Sequence, residues 1–195
     1  MAEHVCPWWA GYLLASPIRR WVVKPEQLMA PYVREGMTVL EPGPGMGFFT
    51  LPMATLVGST GRVIAVDVQA RMLEGLRRRA ARAGLSERID ARLGAADSMG
   101  IGDLRGTVDF VLAVAVVHEM PSARKFFLEA ADALKVGGSI MLSEPGGHVI
   151  ADGFEKELEA AEAAGLQLVT RQTLRGSMRA VLKRLEQNCQ TIRHE

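Results

Sequence analysis

From residue 37 onward, short apolar runs alternate with longer segments whose apolar positions recur every three or four residues. The first kind of pattern predicts strands and the second predicts amphipathic helices. Residues 37–41 and 62–67 are two such runs, and each ends in an acid, Glu41 and Asp67. Further strands are predicted at 89–93, 108–115 and 139–143. Between them, residues 48–57 read as a helix, provided Pro52 lies in its first turn, where a missing N–H is tolerated. In the next helix Met72, Leu73, Leu76, Ala80 and Ala83 share one face, and Arg71, Arg77, Arg78, Arg79 and Arg82 cover most of the rest. Gly84 is the expected cap of that helix. Helices over 122–134 and 152–164 follow, with residues 135–138 as a turn and Gly165 as a stop. The β-like runs 166–174 and 178–185, joined by Arg175-Gly176-Ser177, predict a closing hairpin. Strands alternating with helices mean βαβ units, so the pattern predicts an α/β fold with a mostly parallel sheet covered on both faces. Residues 1–36 stand outside this rhythm and hold all three tryptophans and both tyrosines.

Composition narrows the function classes. The chain has 195 residues, of which 48% are hydrophobic and 23% charged, enough to bury one core. Its 23 basic against 22 acidic residues give a net charge of +1. A wide basic face for nucleic acid would be more lopsided, so no nucleic-acid partner is expected. The basic residues at 71–82 lack interleaved aromatic platforms and read as a solvated helix face. Cys6 and Cys189 lie near opposite ends and offer neither a disulfide framework nor a metal-ligand cluster. The longest apolar run, 110–117, falls far short of the roughly 18 residues needed to span a bilayer. The N-terminus is apolar first and basic afterwards, the reverse of a signal peptide. A cytoplasmic location is the expectation.

The loop after the first strand, Glu41-Pro-Gly43-Pro-Gly45-Met-Gly47, carries the most chemistry. In an open α/β sheet, ligands bind beyond the carboxyl ends of the strands, and this loop is the usual anchor. A dinucleotide fingerprint would read G-x-G-x-x-G; here the spacing is G-x-G-x-G. Pro42 and Pro44 lack N–H donors where a phosphate nest needs them, and Glu41 would repel a diphosphate. A ligand with an ammonium or sulfonium and no phosphate fits better. Asp67 suits a ribose diol, since a carboxylate accepts two hydrogen bonds. Asp97, in the loop after the third strand with Ser98 and Met99 beside it, suits an exocyclic amine such as adenine N6. S-adenosylmethionine carries an amine, a diol and an adenine in that order.

On these motifs residues 37–185 resemble a class I S-adenosylmethionine-dependent methyltransferase of the small-molecule type. Residues 39–47 resemble the family's first motif, Val66-Asp67 its ribose-binding acid and Ala96-Asp97 its adenine-side acid. Residues 109–113 resemble its fourth strand, and residues 134–138 the turn before its fifth. The resemblance implies a Rossmann-like, doubly wound, seven-stranded sheet between two helical layers. Its order would be 3-2-1-4-5-7-6, with an antiparallel last strand. The implied cofactor contacts are Glu41, Gly43, Gly45, Gly47, Asp67, Val68, Ala96, Asp97, Ser98 and Ala113. His118, Glu119 and Glu144, at the ends of the fourth and fifth strands, are candidates to orient or deprotonate the acceptor. Trp8, Trp9, Tyr12 and His148 are candidate substrate contacts.

The chain is therefore expected to comprise an aromatic-rich helical segment, 1–36, acting as a lid or a core clamp, and a cofactor-binding domain, 37–195. The expected partner is a small-molecule or lipid-like acceptor, and no metal is expected. Val117-His-Glu-Met-Pro121 departs from the Asn/Asp-Pro-Pro-aromatic motif of methyltransferases that act on exocyclic amines of bases or on glutamine. Two distant cysteines do not supply the several on which arsenite methyltransferases rely. Two competing readings are an NAD(P)-dependent oxidoreductase on a Rossmann scaffold and a cofactor-binding regulatory subunit that performs no transfer.

Overall fold

A computed structural model describes residues 23–145, 151–174 and 176–186. Seven strands form one sheet: β1 (Thr38–Pro42), β2 (Arg62–Asp67), β3 (Ile89–Leu93), β4 (Val108–Val114), β5 (Leu134–Pro145), β6 (Leu166–Leu174) and β7 (Ser177–Arg184). Their order is β3-β2-β1-β4-β5-β7-β6. The first five pair in parallel, and β7 runs antiparallel to both β5 and β6. This is the doubly wound sheet and the strand order that the family resemblance implies.

Among the described residues five α-helices accompany it: α1 (Pro25–Met29), α2 (Thr50–Leu56), α3 (Ala70–Arg82), α4 (Ala123–Ala133) and α5 (Ala151–Ala163). Strand pleating assigns alternate residues to opposite faces. Val39, Val63, Phe110, Leu112 and Met141 face one way and pack with Met29 of α1 and Met53 and Ala54 of α2. On this face Ala65 meets Leu73 and Leu76 of α3. Leu40, Ile64, Val111, Ala113, Ile140 and Leu142 face the other way, against Phe126 and Phe127 of α4 and Phe154 and Leu158 of α5. Both faces of the central strands are dry, which is why they read as continuous apolar runs.

The structure departs from the predicted boundaries in two instructive places. α2 begins at Thr50, two residues later than expected, and Pro52 is its third residue, inside the first turn. Residues 135–138, expected as a separate turn, belong to β5, whose register with β4 jumps from Val108–Leu134 to Phe110–Ser139. They form a bulge opposite Asp109. Gly137 has φ +80°, and a Cβ on Gly138 would stand 2.9 Å from the Lys135 carbonyl oxygen. Asp109 anchors the bulge: its carboxylate meets Lys135 Nζ at 2.6 Å and accepts the Thr38 N–H at 2.8 Å.

Before β1, α1 and the residues after it lie against the sheet. Met29 and Val33 are buried in the core, and the Tyr32 ring stacks on Phe110 at 5.5 Å between centroids. Among the described residues no helix is long and apolar enough to cross a membrane.

Candidate functional site

A cavity of about 240 Å³ opens at the carboxyl ends of β1, β2 and β4. β1 ends in Glu41-Pro42, and the chain then turns through Gly43 (φ +66°), Gly45 (φ +54°) and Gly47 (φ +87°). The three glycines do different things. A Cβ on Gly43 would lie 2.8 Å from Val116, so Gly43 lets the loop touch the β4 exit. A Cβ on Gly45 would meet nothing within 4 Å, so its backbone is open to a ligand in the cavity it lines. A Cβ on Gly47 would stand 2.5 Å from Leu76 Cδ1, so Gly47 serves the packing of α3 and is absent from the cavity lining. Gly47→Ala combines that clash with a left-handed backbone, and a loss of about 2–4 kcal/mol in urea-unfolding free energy is expected.

Glu41 and Asp67 end adjacent strands and share a face with Val39 and Val63, so both carboxylates reach the cavity. Glu41 is buried, and its Oε2 accepts a 2.5 Å hydrogen bond from the Thr50 hydroxyl. Burial pushes its pKa up to about 8; Thr50 opposes the shift and the neighbouring charge of Asp67 adds to it. Asp67 accepts the N–H of Gln69 at 2.8 Å and that of Gly45 at 3.2 Å. Burial raises its pKa too, and these backbone bonds restrain the rise. A carboxylate has about four lone-pair sites, so two accepted bonds leave capacity for a diol.

Val68, Ala96, Asp97, Ser98 and Glu119 line the same cavity. Asp97 differs from the other two acids: it is exposed, and Lys125 Nζ binds its Oδ2 at 3.1 Å, which holds its pKa down. α4 supports this loop at a second point, where Glu129 accepts the Met99 N–H at 2.8 Å. Sequence reasoning missed Lys125 and Glu129 because their helix is remote in sequence from the loop they hold. Also missed were Phe48, Phe49, Leu112, Val114, Met120 and Phe126, the apolar wall of the cavity. The signal for Phe48 and Phe49 was present, two aromatics next to the glycine loop. The signal for Phe126 was only a helix-face position.

Three further candidates stand apart from the lining. Ala113 faces the α4–α5 side, by the pleat, while Leu112 and Val114 face the cavity. Glu144 is fully buried; its Oε2 lies 2.6 Å from His118 Nδ1, and its Oε1 accepts the Val117 N–H at 3.1 Å. On α5, burial pushes the pKa of Glu157 up to about 8, and the charge of Glu144 adds to that rise. Trp8, Trp9, Tyr12 and His148 lie outside the described residues. No group of three or more ligating side chains that could hold a metal occurs among the described residues.

The strand order, the acid-flanked glycine loop and the cavity at the switch point of the sheet together define a class I S-adenosylmethionine-dependent methyltransferase fold. A family model described as a methyltransferase domain matches residues 33–192, and the chain belongs to that family. Over 116 residues the chain is 32% identical to an arsenite methyltransferase of Halobacterium salinarum, 60% of this chain and 28% of that one. Over 136 residues it is 31% identical to a ubiquinone biosynthesis O-methyltransferase of Methylocella silvestris, 70% of this chain and 47% of that one. The chain thus spans less than half the length of these curated relatives. A crystal structure of a SAM-dependent methyltransferase from Aquifex aeolicus superposes with a TM-score of 0.82, covering 93% of this chain and all of that one at 22% identity. That likeness is one of fold.

Proposed function

We propose that this protein transfers a methyl group from S-adenosylmethionine to a small-molecule or lipid-like acceptor by in-line displacement. The observation that carries the reading is the pair of buried carboxylates, Glu41 and Asp67, which line one cavity with the open Gly45 backbone. The residues present fit the cofactor. A buried carboxyl pushed up to about 8 gains most from a cationic ligand, which supplies the opposite charge it lacks. Gly45 leaves room for the aminoacyl end, and Asp67 has acceptor capacity for the ribose.

When bound, the cofactor supplies a methyl group already activated by positive sulfur. The chain's part is to align the acceptor and keep the site dry. Phe48, Phe49, Val114, Met120 and Phe126 provide the apolar wall that favours an apolar acceptor. Glu119 is the carboxylate placed at that wall to take a hydrogen bond or a proton from the nucleophile. Acceptor contacts from Trp8, Trp9 and Tyr12, in an aromatic lid, belong to the same proposal and rest on sequence alone.

Titration with S-adenosylhomocysteine and, separately, NADH tests the cofactor reading by calorimetry. Saturable binding of the first and none of the second is expected; the opposite pattern would mean an oxidoreductase. Transfer of a labelled methyl group to a panel of phenols, amines, thiols and lipid-like quinols tests the reaction. Cofactor binding with no turnover anywhere on the panel would favour the regulatory subunit.

A further inference from the structure

The three titratable candidates at the exits of β4 and β5 separate into two kinds on geometry. Immediately after β4, Ala115 has φ +53°, a left-handed conformation rarely held by a residue with a Cβ. Its N–H donates to the Ser143 carbonyl at 2.8 Å, so this bend is tied to β5. The next residue of β5, Glu144, ties the following turn. One carboxylate oxygen takes the Val117 N–H and the other meets His118 Nδ1. These two bonds hold consecutive residues of a single short 3-10 turn, Val117–Glu119. By the pleat, Glu144 follows Ile140 and Leu142 onto the α4–α5 face, away from the cavity. Val116, Glu119 and Met120, carried on or beside the turn, line the cavity instead.

We propose that Glu144 and His118 form a clamp that holds the β4 exit on its left-handed path, and that Glu119, carried by the clamped turn, is the carboxylate that meets the acceptor. The acceptor then presents a hydrogen-bond donor, a hydroxyl or an amine, on an apolar body. Glu144 and His118 are positioning residues. The role of Glu119 rests on the methyl-transfer reading above, whereas the clamp does not.

Amide hydrogen exchange over residues 115–121 reads the clamp without any acceptor, and S-adenosylhomocysteine calorimetry on the same samples reads the cofactor site. In Glu144→Leu both bonds are lost, and exchange about tenfold or more faster over this stretch is expected. In Glu144→Gln the side-chain oxygen can still accept from Val117 and its amide can donate to the imidazole, so most of the protection should return. His118→Leu removes one arm only, and it keeps the test alive if the first variant does not fold. Exchange unchanged in both leucine variants overturns the clamp. A Glu144→Gln variant that keeps the protection yet loses transfer as completely as Glu144→Leu makes Glu144 a chemical participant and overturns the division of roles. For Glu119→Gln, with an acceptor found on the panel, transfer should fall about tenfold or more while exchange and S-adenosylhomocysteine affinity hold. Undiminished transfer overturns the assignment of Glu119. Wild-type protein that binds no S-adenosylhomocysteine would sink the methyl-transfer reading and leave the exchange result standing.

Discussion

Asp67→Ala is expected to weaken S-adenosylhomocysteine binding about a hundredfold, on the basis of roughly 1.5–3 kcal/mol for each hydrogen bond to a charged group. The carboxylate does two jobs in one position. It accepts the N–H groups of Gly45 and Gln69, which fixes the loop, and its remaining lone pairs face the cavity for the ribose. Asp67→Asn keeps the shape and one acceptor, so it should fall between the wild type and the alanine variant. Asp97→Ala is the informative control. That carboxylate is exposed and paired with Lys125, and an exposed pair adds little, so a change within about threefold is expected. Calorimetry on variants matched for thermal stability measures both. A larger loss at Asp97 than at Asp67 would reverse the assignment of the two acids.

The second large effect concerns stability against pH. Glu157 is buried on α5, one of its carboxylate oxygens has no hydrogen-bond partner among the described residues, and its pKa is pushed from 4.5 up to about 8. Burial is the main cause, and the charge of Glu144 adds to it. The folded state then holds a proton that the unfolded state has released anywhere between these values. The contribution to stability is therefore complete below about 4.5 and is lost as pH rises through about 8. Glu41 shifts the same way and acts in the same window. The acids with lowered pKa, Asp97 and Asp103, are exposed and act only at lower pH, so they do not cancel this slope. Melting scans should show Tm falling by about 5–10 °C between pH 5.5 and 8.5. Glu157→Gln should flatten that slope and raise Tm at the alkaline end. A Tm that rises across this range, or a variant with an unchanged slope, would show that Glu157 ionises normally.

The α/β alternation and the cofactor loop were legible in the sequence for a physical reason, and the strand order was implied by the family resemblance they carry. Apolar periodicity is local, and a βαβ chain can wind onto a sheet in few ways. Glu41 and Asp67 stand out because each closes an apolar run, so their place at the carboxyl edge needed no tertiary information. The same logic put Glu144 at that edge, and the family resemblance put Ala113 there; neither could say which way the side chain faces. In strands covered on both sides apolar residues occupy successive positions, and the alternation that would reveal parity is erased. Only the packed sheet decided that Ala113 and Glu144 turn toward α4 and α5 while Leu112 and Val114 turn toward the cavity.

The division between local and long-range information recurs at the glycines and the acids. A sequence reader sees Gly43, Gly45 and Gly47 as equivalents, yet what each approaches is Val116, open space or Leu76, and two of those neighbours are remote in the chain. Asp97 likewise matched a motif, but its partner Lys125 comes from α4 and changes what the carboxylate can do. The amino-acid sequence by itself determined the alternation of strands and helices and the acid-and-glycine loop, because these follow from patterns a few residues long, whereas the strand order was implied by the family resemblance that those motifs carry. The tertiary structure alone decided which charged groups share a cavity, which pair with one another and which lose a proton only near neutrality, because burial and proximity are set by residues far apart in the chain.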